Sequence, residues 1–418
     1  MMYQIYNTIK KGIFMNILVI NAGSSSLKYQ VIDMNNEQIL AKGNCERIGI
    51  DGAVTHKTSD DRIFESNFDL PSHKDAFRIL SSLLVDKKYG VVNSLKEISA
   101  VGHRVVQGAE EFKSSVIVTD EVLKKIESLS VLAPLHNSAS VEAIRACQAT
   151  FDNSTPQVVV FDTSFHQTIP EKAYLYGFPY ECYEKYRVRK YGFHGTSHRY
   201  VSKRVEKILG KPPESLKIVS CHLGNGSSIC AILNGKSIDT TMGLTPLDGV
   251  IMGTRTGNVD PSCVTFLMNQ MQYNAHDMDI FMNKKSGLFG ISGISSDYRD
   301  IKKAADSGNK RAKIALDMLS YQIRKGIASS AVAMDGIDVL IFTGGIGENS
   351  HCLREDICNH LNVFGIEINK MANAETIHGK EGIISTENSK VSVCIIPTNE
   401  ELMIAKDALK LTTGNLHL

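Results

Sequence analysis

No run of apolar residues in this 418-residue chain approaches the ~18 that a membrane-spanning helix needs, so a transmembrane helix is not expected. Net charge is almost absent. A formal value of +1 leaves no bulk field to draw in nucleic acid or an anionic membrane, so neither is expected as a partner, and any anion must be recognised by local groups. Cysteines at metal or redox spacing are missing too: nine are scattered along the chain, with no C-x-x-C among them. That argues against a disulfide framework or zinc ribbon and for a reducing compartment, hence a cytoplasmic location. H-E-x-x-H, G-x-G-x-x-G and G-x-x-x-x-G-K-[ST] are all absent. These absences remove the common zinc-protease, Rossmann and Walker solutions.

What is present is a globular composition, 43% apolar and 22% charged, in a chain too long for one ordinary core. Two domains are expected. Lys10 and Lys11 followed by GIFMNILVI imitate a secretory leader, but Asn16 interrupts the run and the apolar stretch leads straight into a glycine loop. The folded pattern is complete from Met15, which makes residues 1–14 an appendage or an upstream start.

An internal repeat organises the rest. Residues 16–33, NILVINAGSSSLKYQVID, match residues 217–234, KIVSCHLGNGSSICAILN. Each is a β-forming run, a small-residue turn and a second β-forming run, which reads as a hairpin. Asn21 falls on His222, Gly23 on Gly224, Ser24 on Asn225 and Ser26 on Ser227. Helix patterns surround the hairpins: DEVLKKIESLSVL; NSASVEAIRACQA, led by Asn137 and Ser138 as caps; and TSHRYVSKRVEKIL, capped by Thr196 or Ser197. A long helix follows with Ile314, Leu319, Ile323 and Ile327 at helical spacing. Then come the strand VLIF, the turn GGIGEN, a helix lined by Leu353, Ile357 and Leu361, the strand VSVCIIP and the closing helix EELMIAKDALKL. Mixed strands and helices built twice imply two α/β domains facing each other across a cleft.

Three small-residue turns follow apolar strands: NAGSSS (21–26), HLGNGSS (222–228) and TGGIGEN (343–349). Glycine lets backbone N–H groups turn toward phosphate oxygens, and serine hydroxyls add donors. Arg104 in GHRVVQG, Arg255 in MGTRTGNVDP, His136 in APLHNS, His194 in KYGFHGTSH and Asp162 in VVVFDTSFH sit in apolar or small-residue surroundings. One such arginine is usually a surface ion-pair partner, and one such histidine a satisfied core residue. As a set they supply cations for a carboxylate and a transferring phosphoryl group, with an acid to hold them. His56, His73, His276, His351, His360, His378 and His417 have no such setting and read as structural or surface residues.

In order along the chain, NAGSSSLKYQ, GHRVVQG, APLHNS, VFDTSFH, KYGFHGTSH, HLGNGSS, MGTRTGNVDP, FTGGIGEN and TNEEL closely resemble the acetate kinase (acetokinase) family, from Met15 to about Lys410. The resemblance implies an α/β chain with the duplicated actin-like, ribonuclease H-like ATPase fold of the acetate and sugar kinase, heat-shock ATPase and actin superfamily, in two domains around a cleft. It also implies a homodimer. The implied N-terminal domain is 15–163 plus 400–418, and the nucleotide-binding and dimerisation domain is 164–399. Asn21 and Glu400 match magnesium-associated positions, with Mn²⁺ the alternative ion. Arg104 matches the substrate arginine, Arg255 and His194 the transition-state pair, and Asp162 the acid that orients the arginines. ATP or ADP is assigned to Ser24, Ser26 and Lys28, to His222, Leu223, Gly224, Asn225 and Gly226, to Asp297, Tyr298 and Arg299, and to Gly345, Ile346, Gly347, Glu348 and Asn349. The acetate or acetyl phosphate methyl group is assigned to Val106, Leu135, Phe193 and Pro246.

Two departures stand out. Thr256-Gly257-Asn258 replaces the family's Ser-Gly-Asp, which puts in doubt how the loop holds Arg255 although Asp260 is near in sequence. Ser138 stands where proline commonly follows His-Asn, which bears on the helix start.

The expected chemistry is reversible, Mg-dependent, in-line transfer of the γ-phosphate of ATP to acetate. A carboxylate with a pKa of roughly 4–5 is already a nucleophile at neutral pH, so Asp162 is read as an orienting group and not a base. A propionate or butyrate kinase of the same family is the alternative. A nucleotide-gated binding or chaperone module would need a partner-binding appendage, and none of adequate length follows residue 411.

Overall fold

The computed structural model describes residues 15–151 and 155–413. The expected appendage at 1–14, residues 414–418 and the side chain of Leu135 lie outside the described residues. Two compact units are present, Met1–Ser164 with Asn399–Leu418, and Phe165–Thr398.

The first unit is built on an eight-stranded sheet: β1 (Asn16–Gly23), β2 (Ser26–Asp33), β3 (Gln38–Glu46), β4 (Ala53–Thr58), β5 (Ile63–Asn67), β6 (Ile98–Val105), β7 (Val116–Ile117) and β8 (Gln157–Phe161). The strand order is β5-β4-β3-β2-β1-β6-β8-β7, with β1, β6 and β8 parallel and the rest antiparallel. NILVI in β1 is apolar on both faces because both faces are covered. On one face the helices His73–Leu84 and Pro134–Thr150 pack Phe77, Leu80 and Cys147 into a core with Leu18, Ile20 and Leu27. On the other lies the helix Glu400–Thr412, close enough that a Cβ on Gly102 would sit 2.5 Å from Ile404 Cγ2. That approach delivers Glu400 to the end of β6.

The second unit repeats the plan. Its strands are β9 (Lys217–Leu223), β10 (Ser227–Leu233), β11 (Lys236–Thr240), β12 (Val339–Thr343), β13 (Gly382–Ile383) and β14 (Ser392–Ile395), ordered β11-β10-β9-β12-β14-β13. The run β3-β2-β1-β6-β8 corresponds to β11-β10-β9-β12-β14, and the short antiparallel edges β7 and β13 correspond as well. Both repeats are hairpins, but the second turn is one residue longer. Gly23 pairs with Ser26 in the first, whereas Leu223 pairs with Ser227 in the second. The sequence match therefore holds along one arm of the hairpin and slips by one along the other.

Several local expectations need correcting. Pro134 opens its helix, and Asn137 lies inside it, fully buried. Instead of capping, its amide accepts from Gln107 N at 3.1 Å and donates to Gln107 O at 2.9 Å, stapling the chain beyond β6. Thr196 and Ser197 are likewise inside the helix Gly195–Leu209, whose cap position is His194 at φ 56°. Ile314 is 51% exposed, off the stripe of Leu319, Ile323 and Ile327. GGIGEN is itself a short helix, Gly344–Asn349, and Leu361 packs just beyond the helix His351–Asn359.

Candidate active site

In the first unit the ends of β6 and β8 bring Arg104 and Asp162 together. Arg104 Nε donates to Asp162 Oδ1 at 2.9 Å and Nη2 to Oδ2 at 2.6 Å, a two-pronged pair. Asp162 is 1% exposed with both oxygens engaged, so it is poorly placed to collect a proton from a substrate. Glu400, opening the last helix, lies 3.9 Å from Arg104 Nε. Burial alone would lower the Arg104 pKa, but the charges of Asp162 and Glu400 outweigh it and hold the guanidinium firmly protonated. Burial pushes the Glu400 carboxyl well above the usual carboxylate range, with Arg104 pulling the other way. Val106 follows two residues after Arg104 and is half-buried.

Asn21 and Lys28 face each other across the β1–β2 ladder and line a cavity of about 330 Å³. The acid that shares this cavity is Glu401, next to the Glu400 assigned from sequence. Ser24 is exposed at the hairpin tip and Ser26 is half-buried. His73, read from sequence as structural, holds that tip: its Nε2 lies 2.7 Å from the Gly23 carbonyl, while Nδ1 lies 3.2 Å from Glu142. No sequence pattern links residues 23, 73 and 142.

In the second unit His194, Arg255 and the turn Gly224–Gly226 converge. A Cβ on Gly226 would lie 3.3 Å from Arg255 Nη1 and 3.4 Å from His194 Nε2, so glycine is what lets the backbone come this close. His194 stacks on His222 with ring centroids 4.2 Å apart, and its Nδ1 is 2.9 Å from Ser228 Oγ. His222 Nδ1 is held by Ser197 Oγ at 2.8 Å. The hydroxyl of Ser228 also lies 2.8 Å from Nε2 of the fully buried His198, whose pKa burial depresses well below the ordinary histidine value.

Among the described residues no acid pairs with Arg255. Its Nη1 donates to the Pro246 carbonyl at 3.0 Å, with Met252 Sδ at 3.7 Å, and burial lowers its pKa. The loop is closed by Asn258: Oδ1 accepts from Gly249 N at 2.8 Å, and Asn258 N donates to Gly249 O at 2.7 Å. Asp260, near in sequence, instead caps the helix Pro261–Met271 through Ser262 N. The amide thus closes the loop where an acid stood in the family pattern.

Beside this point opens a cavity of about 1180 Å³. Of the residues assigned to nucleotide, Gly224, Asn225, Asp297, Tyr298, Arg299, Gly345, Ile346 and Asn349 line it. His222, Leu223, Gly226, Gly347 and Glu348 do not. Leu223 and Gly347 are buried in the framework, and Glu348 Oε1 accepts from Gly344 N at 2.9 Å and Thr398 N at 3.1 Å, which shapes the loop. Of the apolar pocket assigned in this unit, Phe193 is 3% exposed with its carbonyl 2.9 Å from His166 Nε2, and Pro246 is half-buried. His136 is exposed on its helix.

The sequence profile of the acetokinase family matches residues 16–406. An acetate kinase from Caldanaerobacter subterraneus subsp. tengcongensis is 55% identical over 402 residues, spanning 96% of this chain and 100% of that one. Among solved structures, Porphyromonas gingivalis acetate kinase superposes with a TM-score of 0.91 at 44% identity, covering 95% of this chain and 99% of that one. A propionate kinase from Francisella tularensis superposes with a TM-score of 0.88 at 41% identity, with the same coverage.

Proposed function

Because the chain belongs to the acetokinase family, we infer that it transfers the terminal phosphate of ATP to acetate, giving acetyl phosphate and ADP, and runs the reaction in reverse. The observation that supports this most directly is the convergence of His194 Nε2 and Arg255 Nη1 on Gly226, beside a cavity large enough for a nucleotide. Phosphoryl transfer demands positioning and neutralisation of like charges more than covalent chemistry. Arg255, with no carboxylate to satisfy it, has its charge to spend on the moving phosphoryl group, and His194 adds a neighbouring donor. Arg104 holds the acceptor carboxylate, its fork kept in place by Asp162. Since the acceptor is already a nucleophile, no general base is required.

Mg²⁺ is assigned to Asn21 and Glu400, an amide oxygen and a carboxylate that suit a hard cation. Among the described residues no group of three or more histidine, cysteine or acidic side chains is gathered for a metal. When bound, the ion would offset charge on the phosphate oxygens. Because Glu401 shares a cavity with Asn21, magnesium titration of Glu400→Gln against Glu401→Gln decides between the acids. A steeper magnesium requirement in Glu401→Gln would reassign the site.

The helix Pro261–Met271 buries none of its residues although it carries Phe266, 61% exposed, and Met271, 38% exposed. This supports a homodimer that uses this face. All nine cysteines are free, which fits a reducing cytoplasm, and no described helix is long and apolar enough to cross a membrane.

Propionate is the second reading, favoured by the similarity to the propionate kinase. The experiment is acyl phosphate formation from ATP with acetate, propionate and butyrate, trapped with hydroxylamine. Acetate is expected to give the highest kcat/KM; a preference for butyrate would overturn the substrate but not the phosphotransferase.

A further inference from the structure

The short helix Gly344–Asn349 presents Gly345, Ile346 and Asn349 to the large cavity, and its other side is held by a residue that no motif singles out. Arg354, on the helix His351–Asn359, is fully buried. Its Nε donates to Asn373 Oδ1 at 2.8 Å, and Nη1 to the carbonyls of Gly347 and Glu348, both at 2.8 Å. Its Nη2 donates to the carbonyls of Asn373 at 2.7 Å and Thr376 at 3.0 Å. Every N–H of the guanidinium is matched, and none of the partners is a carboxylate. Burial lowers its pKa to about 10, so the group is still a cation at neutral pH, neutralised by amide dipoles alone. Such an arrangement costs desolvation that an apolar side chain would avoid, and a planar five-donor fork is the one side chain able to fill it.

The acceptors come from two segments. Gly347 and Glu348 belong to the loop helix, whereas Asn373 and Thr376 belong to the chain around the helix Lys370–Glu375. Two further bonds hold the second segment: Asn373 Nδ2 donates to His351 O, at the start of Arg354's own helix, at 2.9 Å, and His378 N donates to Asn349 Oδ1, on the loop helix, at 3.0 Å. His351, Asn349 and His378 all line the cavity. His378 is moreover held at φ 56°, a region non-glycine residues enter rarely and keep only when their surroundings fix them. Arg354 is the point where both pieces of this wall are fastened.

We propose that Arg354 is a positioning residue for the nucleotide: from behind the Gly344–Asn349 helix it fixes that loop and the 373–378 segment as one preformed wall. The proposal rests on the reading of this cavity as the ATP site. It separates Arg354 from a merely structural arginine, because its loss should fall on nucleotide affinity and leave acetate affinity alone.

The test measures ADP binding by titration calorimetry, KM for ATP and for acetate, and the thermal midpoint, on the full chain. Arg354→Lys keeps the charge but not the fork, and should raise the ADP Kd and the ATP KM roughly tenfold or more, since several hydrogen bonds to a charged donor are lost together. The acetate KM should stay within about twofold. Asn373→Ala removes one acceptor and the tie to His351, and should raise the ADP Kd about three- to fivefold; it carries the test if Arg354→Lys does not fold. Ile346→Trp, which fills the cavity, is the control for the parent reading. Unchanged ADP affinity in Ile346→Trp sinks the cavity assignment itself. If Ile346→Trp loses ADP while Asn373→Ala and any folded Arg354→Lys bind it normally, the positioning role alone is overturned.

Discussion

Two arginines carry the expected anion chemistry, one in each repeat, and they are held in opposite ways. Arg104 is locked into a two-pronged pair with the buried Asp162 and lies near Glu400, so neighbouring charge raises its pKa. Arg255 is held by a carbonyl and a thioether, so burial lowers its pKa with nothing to compensate. Arg104 stands on β6, whereas Arg255 stands in the loop between β11 and the helix Pro261–Met271, so the difference lies in backbone setting as well as in side-chain partners. A paired cation is a fixed fork that an incoming carboxylate can share. A half-buried cation with no acid beside it leaves a charge that a phosphoryl group can complete. Arg104 should therefore matter to stability as well as binding, and Arg255 to catalysis almost exclusively.

The sharpest way to break this comparison is to remove each cation in turn. Arg104→Met strands Asp162, 1% exposed, and should lower unfolding free energy by about 3 kcal/mol, the low end for breaking a buried pair because Arg104 is itself 23% exposed. Arg255→Met removes a half-buried charge that has no acid beside it, and should leave the denaturant midpoint unchanged or slightly higher. Equal losses of stability in the two variants would mean the pairing difference has no energetic content.

Turnover should reverse the ranking. Arg255→Lys places a point charge where a planar donor set was, and removal of one such stabilising donor typically costs roughly 10²–10³ in kcat. Asp162→Asn keeps Arg104 but loosens one prong, so its effect should appear chiefly in the acetate KM. Near-normal kcat in Arg255→Lys would leave that arginine a loop anchor like Asn258.

The duplication was legible because strand–turn–strand patterns survive in the residues themselves, and HLGNGSS and MGTRTGN carry glycines where a close approach demands them. Gly226 lies against Arg255 and His194, and Gly253 against Asn225. What stayed hidden was tertiary. The extra residue in the second turn does not alter its composition, and Asn137 looks like a helix cap until its bonds to Gln107 are seen. His73 and Arg354 act on backbone carbonyls of residues far away or of no special type, so no spacing betrays them. Ile314 shows the same limit for packing: apolar periodicity marks a stripe but not which neighbour covers it.

A smaller effect tests a feature the two units share, a fully buried histidine whose pKa burial lowers, His103 in the first and His198 in the second. His103 on β6 is 1% exposed, bonded to Gln157 Oε1 at 2.8 Å, and burial pushes its pKa down to about 4. An unfolded histidine titrates near 6.5, so below that pH the unfolded chain takes a proton that the folded chain refuses. Stability is thus unaffected above pH 6.5 and is lost as pH falls toward 4, by about 2 kcal/mol at pH 5. His103→Gln should flatten the fall in denaturant midpoint between pH 7 and pH 5 relative to the parent. An unchanged slope would show that other groups dominate acid sensitivity.

The smallest effect bears on the acceptor, and it belongs to the side of the comparison where the cation is fixed. Val106 leaves β6 two residues after Arg104, and Asn137 staples the next residue, Gln107, by both its backbone groups. The backbone under Val106 therefore has little freedom to follow a change in its side chain. If Arg104 pins the acceptor carboxylate as proposed, an extra methylene must press on whatever side chain stands there, and one methylene is worth roughly 1–3 kcal/mol in such a pocket. Val106→Ala opens volume without touching the Arg104–Asp162 pair, so it should narrow the acetate-to-propionate ratio of kcat/KM by about five- to tenfold, the low end of that range. The change should lie in KM for propionate, with kcat for acetate nearly constant, because the groups proposed to stabilise the phosphoryl, His194 and Arg255, sit on the other unit. A ratio that does not move would remove Val106 from the pocket, whereas a fall in acetate kcat would show that the two arginines are not separable in the way their partners suggest.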